Sequence, residues 1–237
     1  MVSKTSIILC TYNEANHIKK TISELEKNIS NLELVIIDDF SSDGTIEIIR
    51  ELNQNNKYKV VYRKKSRSLA SAFVRGVIET TGERIGWIDT NMGDMASRFP
   101  KMIEELNSDN DIVVLSRYVK GGDDHRIWLR RTCSKFFNLI CRLMLGTPIK
   151  DFTSSIFLMK RKVMDEVTFL GYGHGEFFLE FLHNAYKKDF RIKEIPYVQK
   201  KDEDLENSKS APNLIKFFYL GSLYILRVFS TIIRRKN

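Results

Sequence analysis

Cysteine is scarce in this 237-residue chain. There are three, Cys10, Cys133 and Cys141, an odd number without a CxxC pair. That excludes a disulfide framework and a cysteine-ligated zinc site, and it points to reduced thiols in a cytosolic protein. The four histidines build no known zinc spacing. Glu176, Glu180 and His183, preceded by His174, share a helix face, but a core-packing helix explains that pattern as well. A glycine-rich phosphate loop is missing in both common forms, GxGxxG and GxxxxGK[ST]. A nucleotide held without such a loop can rely on a metal ion and on Arg or Lys for its phosphates. Zinc-finger, RNA-recognition and basic-zipper signatures are missing too, so the net charge of +8 does not point to nucleic acid. It suits phosphorylated ligands or an anionic membrane face. Proline is rare, with four residues. Residues 1–5 lead straight into an apolar run, so no signal peptide is expected. The long apolar stretch 214–233 is broken by Lys216 and Arg227.

What is present is a regular alternation. Short apolar runs at 6–10, 34–37, 58–62, 85–88 and 112–115 read as strands. Between them lie segments with helical spacing: 14–29 (Ile18, Ile22, Leu25, Ile29), a second with Ile46, Ile49 and Leu52, and 69–80 with Leu69, Ala72, Phe73, Gly76 and Val77. Such alternation predicts an α/β fold whose mainly parallel sheet is flanked by helices. After about residue 120 the pattern loosens into a long helix at 126–145, a strand at 155–159, helices at 161–167 and 176–187, and a strand at 191–195. The charged, glycine-free stretch 200–210 reads as a mobile loop or lid.

Polar clusters follow the apolar runs, where ligands collect in open α/β sheets. Thr11-Tyr12-Asn13-Glu14 follows the first run, Asp38-Asp39 the second, and Asp89-Thr90-Asn91 the fourth. Asp89 and Asn91 offer two oxygen donors to Mg²⁺ or Mn²⁺ carrying a phosphate. A helix cap or turn would use the same residues.

Cys10-Thr11-Tyr12-Asn13-Glu14, Ile37-Asp38-Asp39-Phe40-Ser41-Ser42-Asp43-Gly44-Thr45 and Asp89-Thr90-Asn91 resemble the family-2 glycosyltransferases of the GT-A, Rossmann-like fold. Ser116-Arg117-Tyr118, Arg130-Arg131 with Ser134 and Asn138, Asp151-Phe152-Thr153 and Glu194-Ile195-Pro196 are similar to its dolichol-phosphate mannose synthase and polyprenyl-phosphate branch. The resemblance implies that Tyr12, Glu14, Asp38 and Asp39 serve the nucleoside, and that Asp89 and Asn91 hold Mg²⁺ or Mn²⁺. It assigns the sugar-phosphate or acceptor phosphate to Arg117 and Arg131, with Ser134 and the late Ser208-Lys209 closing over phosphate. The chain departs from the family pattern at Asn91 and Gly93, where Asp and Gln are usual, and Asp94 stands nearby as a substitute. The Thr-Ser-Gly-Phe-Arg motif reads Thr153-Ser154-Ser155-Ile156-Phe157, without its arginine.

The implied activity is inverting transfer of a hexose from GDP-mannose or UDP-glucose to a polyprenyl phosphate at a membrane surface. The expected organisation is a catalytic domain over 1–211, with a donor half (1–120) and an acceptor half (121–211), and a C-terminal helix over 212–237. At 100° per residue Lys216, Arg227, Ser230 and Arg234 share one side of that helix. This favours a helix lying in the cytoplasmic leaflet over one spanning it, or a helix covered by the core or a membrane-protein partner. The helix at 126–145 is a second candidate membrane contact. Other readings are a nucleotide-binding relative without turnover, a transferase with a non-lipid glycan acceptor, and a nucleotidyltransferase.

Overall fold

The computed structural model describes residues 3–64, 68–154, 156–168, 171–173, 175–201 and 214–234. The elements run β1 (Thr5–Thr11), α1 (Ile18–Asn28), β2 (Leu32–Asp38), α2 (Thr45–Leu52), β3 (Lys59–Tyr62), α3 (Leu69–Glu79) and β4 (Arg84–Trp87). A 3₁₀ stretch (Thr90–Arg98), α4 (Phe99–Asn107), β5 (Ile112–Ser116), β6 (Asp123–Asp124) and α5 (Trp128–Leu145) follow. The chain continues with β7 (Phe157–Lys160), α6 (Lys162–Glu166), α7 (Glu176–Lys187), β8 (Ile192–Pro196), β9 (Val198–Gln199) and α8 (Leu214–Arg234).

The main sheet has the order β3-β2-β1-β4-β7-β5-β8, and β6 pairs with β9 separately. β3, β2, β1 and β4 run parallel to one another. β1 and β2 are apolar and buried over most of their length, as strands covered on both faces must be. β7 is the exception, antiparallel to both β4 and β5. Alternation alone did not show that reversal, because it locates a strand without giving its direction. Gly86 marks the tight spot: a Cβ there would lie 2.7 Å from Ile7 Cδ1 and 2.8 Å from Leu158 Cδ1. Phe73, Trp87 and Phe157 fill the neighbouring core, with centroids 5.4 to 5.9 Å apart. α1 starts at Ile18, later than the spacing suggested, because the N–H groups of Asn13, Glu14 and Ala15 bond to Ser41 Oγ, Thr45 Oγ1 and Asp43 Oδ2.

The chain forms two compact units. The first comprises Met1–Val114, Ser155–His174 and Phe190–Lys193, and the second Leu115–Ser154, Gly175–Asp189 and Glu194–Asn237. A single cut near residue 120 does not reproduce this division, because β7 returns the chain to the first unit.

In the second unit α8 lies against α7. Arg227, expected on the outward polar side, is buried, and its Nη1 donates to Glu180 Oε2 at 3.0 Å. Ile225, Leu226, Phe229 and Ile233 face outward instead. Among the described residues no helix is long and apolar enough to cross a membrane. Glu176, Glu180 and His183 are all buried, and no group of three His, Cys, Asp or Glu among the described residues is placed to hold a metal.

At the amino end of the sheet Glu33 accepts from Ser6 Oγ (2.5 Å), Thr81 N (2.7 Å) and Thr81 Oγ1 (2.7 Å), and pairs with Lys59 at 3.1 Å. Burial raises its carboxyl pKa, but these partners outweigh burial and bring it to about 2. A depressed folded-state pKa adds stability that is present above the unfolded value, near 4.5, and is lost as pH falls toward 2. Glu33→Gln should therefore cost about 1–3 kcal/mol at pH 7. The gap from wild type should close between pH 4.5 and 2, as read from urea midpoints across that range.

Candidate active site

β1 and β2 end level, with Thr11 opposite Asp38. Their polar terminal residues therefore converge. Asp38 is wholly buried and accepts from Thr11 Oγ1 (2.8 Å), Ser41 N (2.9 Å) and Ser41 Oγ (2.6 Å). Its carboxylate braces the two loops from inside. Ser41 Oγ in turn accepts from Asn13 N at 2.8 Å, and Asn13 Oδ1 accepts from Ser42 N at 2.9 Å. Tyr12 and Glu14 ride on the loop so fixed.

Asp39 is gripped by Arg63, whose Nε and Nη2 donate to its two oxygens at 2.6 and 2.8 Å. Arg63 Nη1 donates to Ser71 Oγ at 2.9 Å, and Nη2 also reaches Ser68 O at 3.1 Å. Burial pushes the Asp39 carboxyl up while Arg63 pulls it down, and the net direction is upward. Arg63 was not among the expected site residues. It follows β3 immediately, so the rule applied to the ends of the first, second and fourth runs would have found it at the third.

The Ile8–Trp87 pair sets β4 against β1. Two residues further along the chain come Cys10, still on β1, and Asp89, just past the end of β4. The Cys10 thiol is pushed far up, first by burial and then by the Asp39 and Asp89 carboxylates, against Arg63. Asp39, Arg63 and Asp89 therefore share one neighbourhood around Cys10. Asp89 occupies the cap position of the 3₁₀ stretch with extended backbone, but its side chain makes no capping hydrogen bond. The ordinary use of an aspartate there is not realised, and the side chain is half-buried.

Asn91 is exposed. Gly93 is fixed by packing: a Cβ would stand 2.5 Å from Thr21 Oγ1 and 2.9 Å from Thr21 Cα, so α1 leaves no room for a longer residue. Asp94, the expected substitute donor, is bound to Lys20 on α1 at 2.6 Å.

The other expected residues lie in the second unit. Arg117 is 4% exposed. Its Nε and Nη2 donate to Asp151 at 2.8 and 2.7 Å, its backbone N bonds the same carboxylate at 3.0 Å, and Nη1 stands 3.7 Å from Asp124. Against their own burial, Arg117 holds the Asp151 carboxyl below its usual range and Asp151 raises Arg117. The guanidinium braces the second unit from inside through Asp151. Tyr118 OH donates to Ser134 Oγ at 2.8 Å, and Ser134 Oγ lies 3.4 Å from Thr153 Oγ1. Arg131 is exposed on α5. Ser208 and Lys209 lie outside the described residues.

Residues 6–168 match the profile described as Glycosyl transferase family 2. The chain belongs to this family. It is 33% identical over 169 residues to dolichol-phosphate mannosyltransferase of Pyrococcus furiosus, covering 69% of this chain and 48% of that protein. It is 25% identical over 172 residues to polyprenol monophosphomannose synthase of Mycolicibacterium smegmatis, covering 69% and 64%. The chain thus spans about half the length of the first relative and under two thirds of the second. Among solved structures, glucosyl-3-phosphoglycerate synthase of Mycobacterium tuberculosis with UDP superposes with a TM-score of 0.74 at 16% identity, over 97% of this chain and 80% of that one. The same enzyme with Mn²⁺, UDP and glucosyl-3-phosphoglycerate gives 0.72 at 16%, over 97% and 80%. At such identity the likeness concerns the fold, and it agrees with the GT-A architecture expected of the family.

Because Asp151 is fully buried, removing its partner leaves a carboxylate without compensation. Arg117→Ala should lose about 3–5 kcal/mol in chemical denaturation. Arg117→Lys should recover only part of that, since an ammonium cannot form the two-pronged contact.

Proposed function

We propose that this family-2 chain transfers a hexose from a nucleotide sugar, GDP-mannose or UDP-glucose, to a polyprenyl phosphate, inverting the anomeric centre. The observation that carries this reading is the placement of Asp39, held by Arg63, and of Asp89 just past the ends of β2 and β4, the two strands that flank β1. The names of the two sequence relatives supply the lipid phosphate as acceptor.

The donor set fits a divalent ion that arrives with its nucleotide. One carboxylate (Asp89) and one carboxamide (Asn91) are too few for a site made by protein alone. Mg²⁺ and Mn²⁺ commonly complete their shells with substrate phosphate and water. Once bound there, the ion would neutralise charge gathering on the leaving nucleoside diphosphate. Tyr12, Glu14 and Asp39 hold the nucleoside, with Arg63 fixing the angle of Asp39 and Asp38 bracing the loop. Arg131, Ser134 and Lys209 orient the acceptor phosphate, and Arg117 positions the turn that carries Tyr118.

A phosphate monoester has a second pKa of about 6, so the attacking oxygen is anionic near neutrality and needs no general base. That oxygen forms the new bond to the anomeric carbon as the bond to the diphosphate oxygen breaks, and the electron pair leaves with the diphosphate. What remains for the protein is alignment and charge stabilisation.

The acceptor's lipid tail places the work at a membrane surface, on the cytoplasmic face and peripherally. α5 supports this. Trp128, Phe136, Leu139 and Leu143 are exposed and fall within about 80° of arc, beside the exposed Arg131, Lys135 and Arg142. An apolar stripe with a basic border suits an anionic bilayer. The outward apolar face of α8 adds to it.

Labelled sugar from GDP-mannose and UDP-glucose, offered with polyprenyl phosphate and Mn²⁺, should appear in a lipid product from one donor, and Asp89→Ala should reduce turnover at least a hundredfold. Full activity of that variant would end the metal assignment. Nucleotide binding without any product would instead favour a non-catalytic relative. In co-sedimentation, the full chain should bind vesicles containing phosphatidylserine and ignore neutral ones. The double variant Trp128→Glu, Leu143→Glu should stay in the supernatant while keeping its melting temperature.

A further inference from the structure

Phe40 is poorly explained by the fold. Its φ is 60°, in the left-handed region that glycine and asparagine tolerate and bulky side chains avoid. The residue is 46% exposed, so little burial offsets that backbone cost. Asparagine or glycine would serve the turn better on both counts. Strain of this kind is kept where a ligand uses the residue.

The surroundings indicate which ligand. Phe40 sits between Asp39 and Ser41, and Tyr12 between Thr11 and Asn13. The two loops are tied on both sides of these residues, by Asp39 N to Thr11 O (2.9 Å) and by Asn13 N to Ser41 Oγ (2.8 Å). Two exposed aromatic residues therefore stand level on adjacent loops, since Tyr12 is 37% exposed. The ammonium of Lys64 lies over the Phe40 ring, 5.7 Å from its centroid. Asp39, the preceding residue, is a hydrogen-bond acceptor held in place by Arg63. A flat, apolar-faced ligand with N–H groups on its edge and phosphate at its far end matches all of these.

We propose that Phe40 is a nucleobase-stacking residue of the donor site, taking the base on the ring face opposite Lys64. This rests on the nucleotide-sugar reading and goes beyond it by assigning the base contact to a residue outside the motif carboxylates. Stacking on a phenyl face tolerates any base, so Phe40 strengthens binding of UDP and GDP alike, and of the larger purine more. Choice between bases is left to the hydrogen bonds.

The test compares wild type, Phe40→Asn and Phe40→Trp by calorimetric titration with UDP, GDP and inorganic pyrophosphate, each with Mn²⁺. Phe40→Asn should weaken UDP and GDP about five- to twentyfold and leave pyrophosphate within about twofold. Its melting temperature should hold or rise, because asparagine accepts the left-handed backbone. Phe40→Trp should keep nucleotide affinity, and its added indole fluorescence, after subtraction of the wild-type signal, should be quenched by GDP and not by pyrophosphate. Equal nucleotide affinity in Phe40→Asn would overturn the assignment alone. So would an equal loss for pyrophosphate, which would mean that the loop had collapsed. Wild type binding UDP and GDP no more tightly than pyrophosphate would remove the nucleotide reading and this inference together.

Discussion

Asp38 sits with no exposed surface at the end of β2, and its carboxylate accepts from the end of β1 and from the turn after β2. Leaving one of those donors or acceptors unmade in a buried site costs more than the bond contributes when made. The set is therefore held all together or not at all. Thr11 ties the end of β1, Ser41 ties the turn after β2, and Ser41 passes the constraint on to Asn13. Asp39, Phe40 and Tyr12 take their positions from that knot. The carboxylate that the motif places first thus ties β1 to the turn after β2, and the one beside it pairs with Arg63 after β3.

A second constraint sets Asp89. The 3₁₀ stretch that follows it lies so close to α1 that Gly93 meets Thr21 at backbone distance, Thr21 Oγ1 donates to Thr90 O, and Asp94 bonds Lys20. The Asp89 loop is pinned by packing on α1. Gly93 and Asp94, read from the sequence as a lost donor and its replacement, are parts of that packing. The loop that carries Asp89 is therefore set by α1 before any ligand arrives.

The alternation of apolar runs gave the parallel part of the sheet, because buried strands and amphipathic helices each leave a periodic trace. It missed the direction of β7 and the stretch from Thr90 through α4, where Pro100 and Gly93 obscure the helical period. The Asp-Asp and Asp-x-Asn motifs were legible as strand-end residues, and Arg63 was legible by the same rule at the end of the third run, although no motif drew attention to it. Phe40 was not, because its peculiarity is a backbone angle. At Arg117 the sequence shows that a cation is present, and only the fold shows that Asp151 pairs with it.

Arg227 makes the same point in reverse. A charged residue inside an apolar helix suggests a polar stripe turned to water, and helical spacing alone supports that. A buried partner changes the answer: with Glu180 within 3.0 Å on α7, the pair admits one rotation of α8, the one that turns Val228 and Thr231 inward and Ile225, Leu226, Phe229 and Ile233 outward. Removing either charge strands the other in a dry interface, so the setting is steep even where the pair adds little net stability. The residue that breaks the hydropathy of α8 is thus the one that fixes how the helix sits on α7.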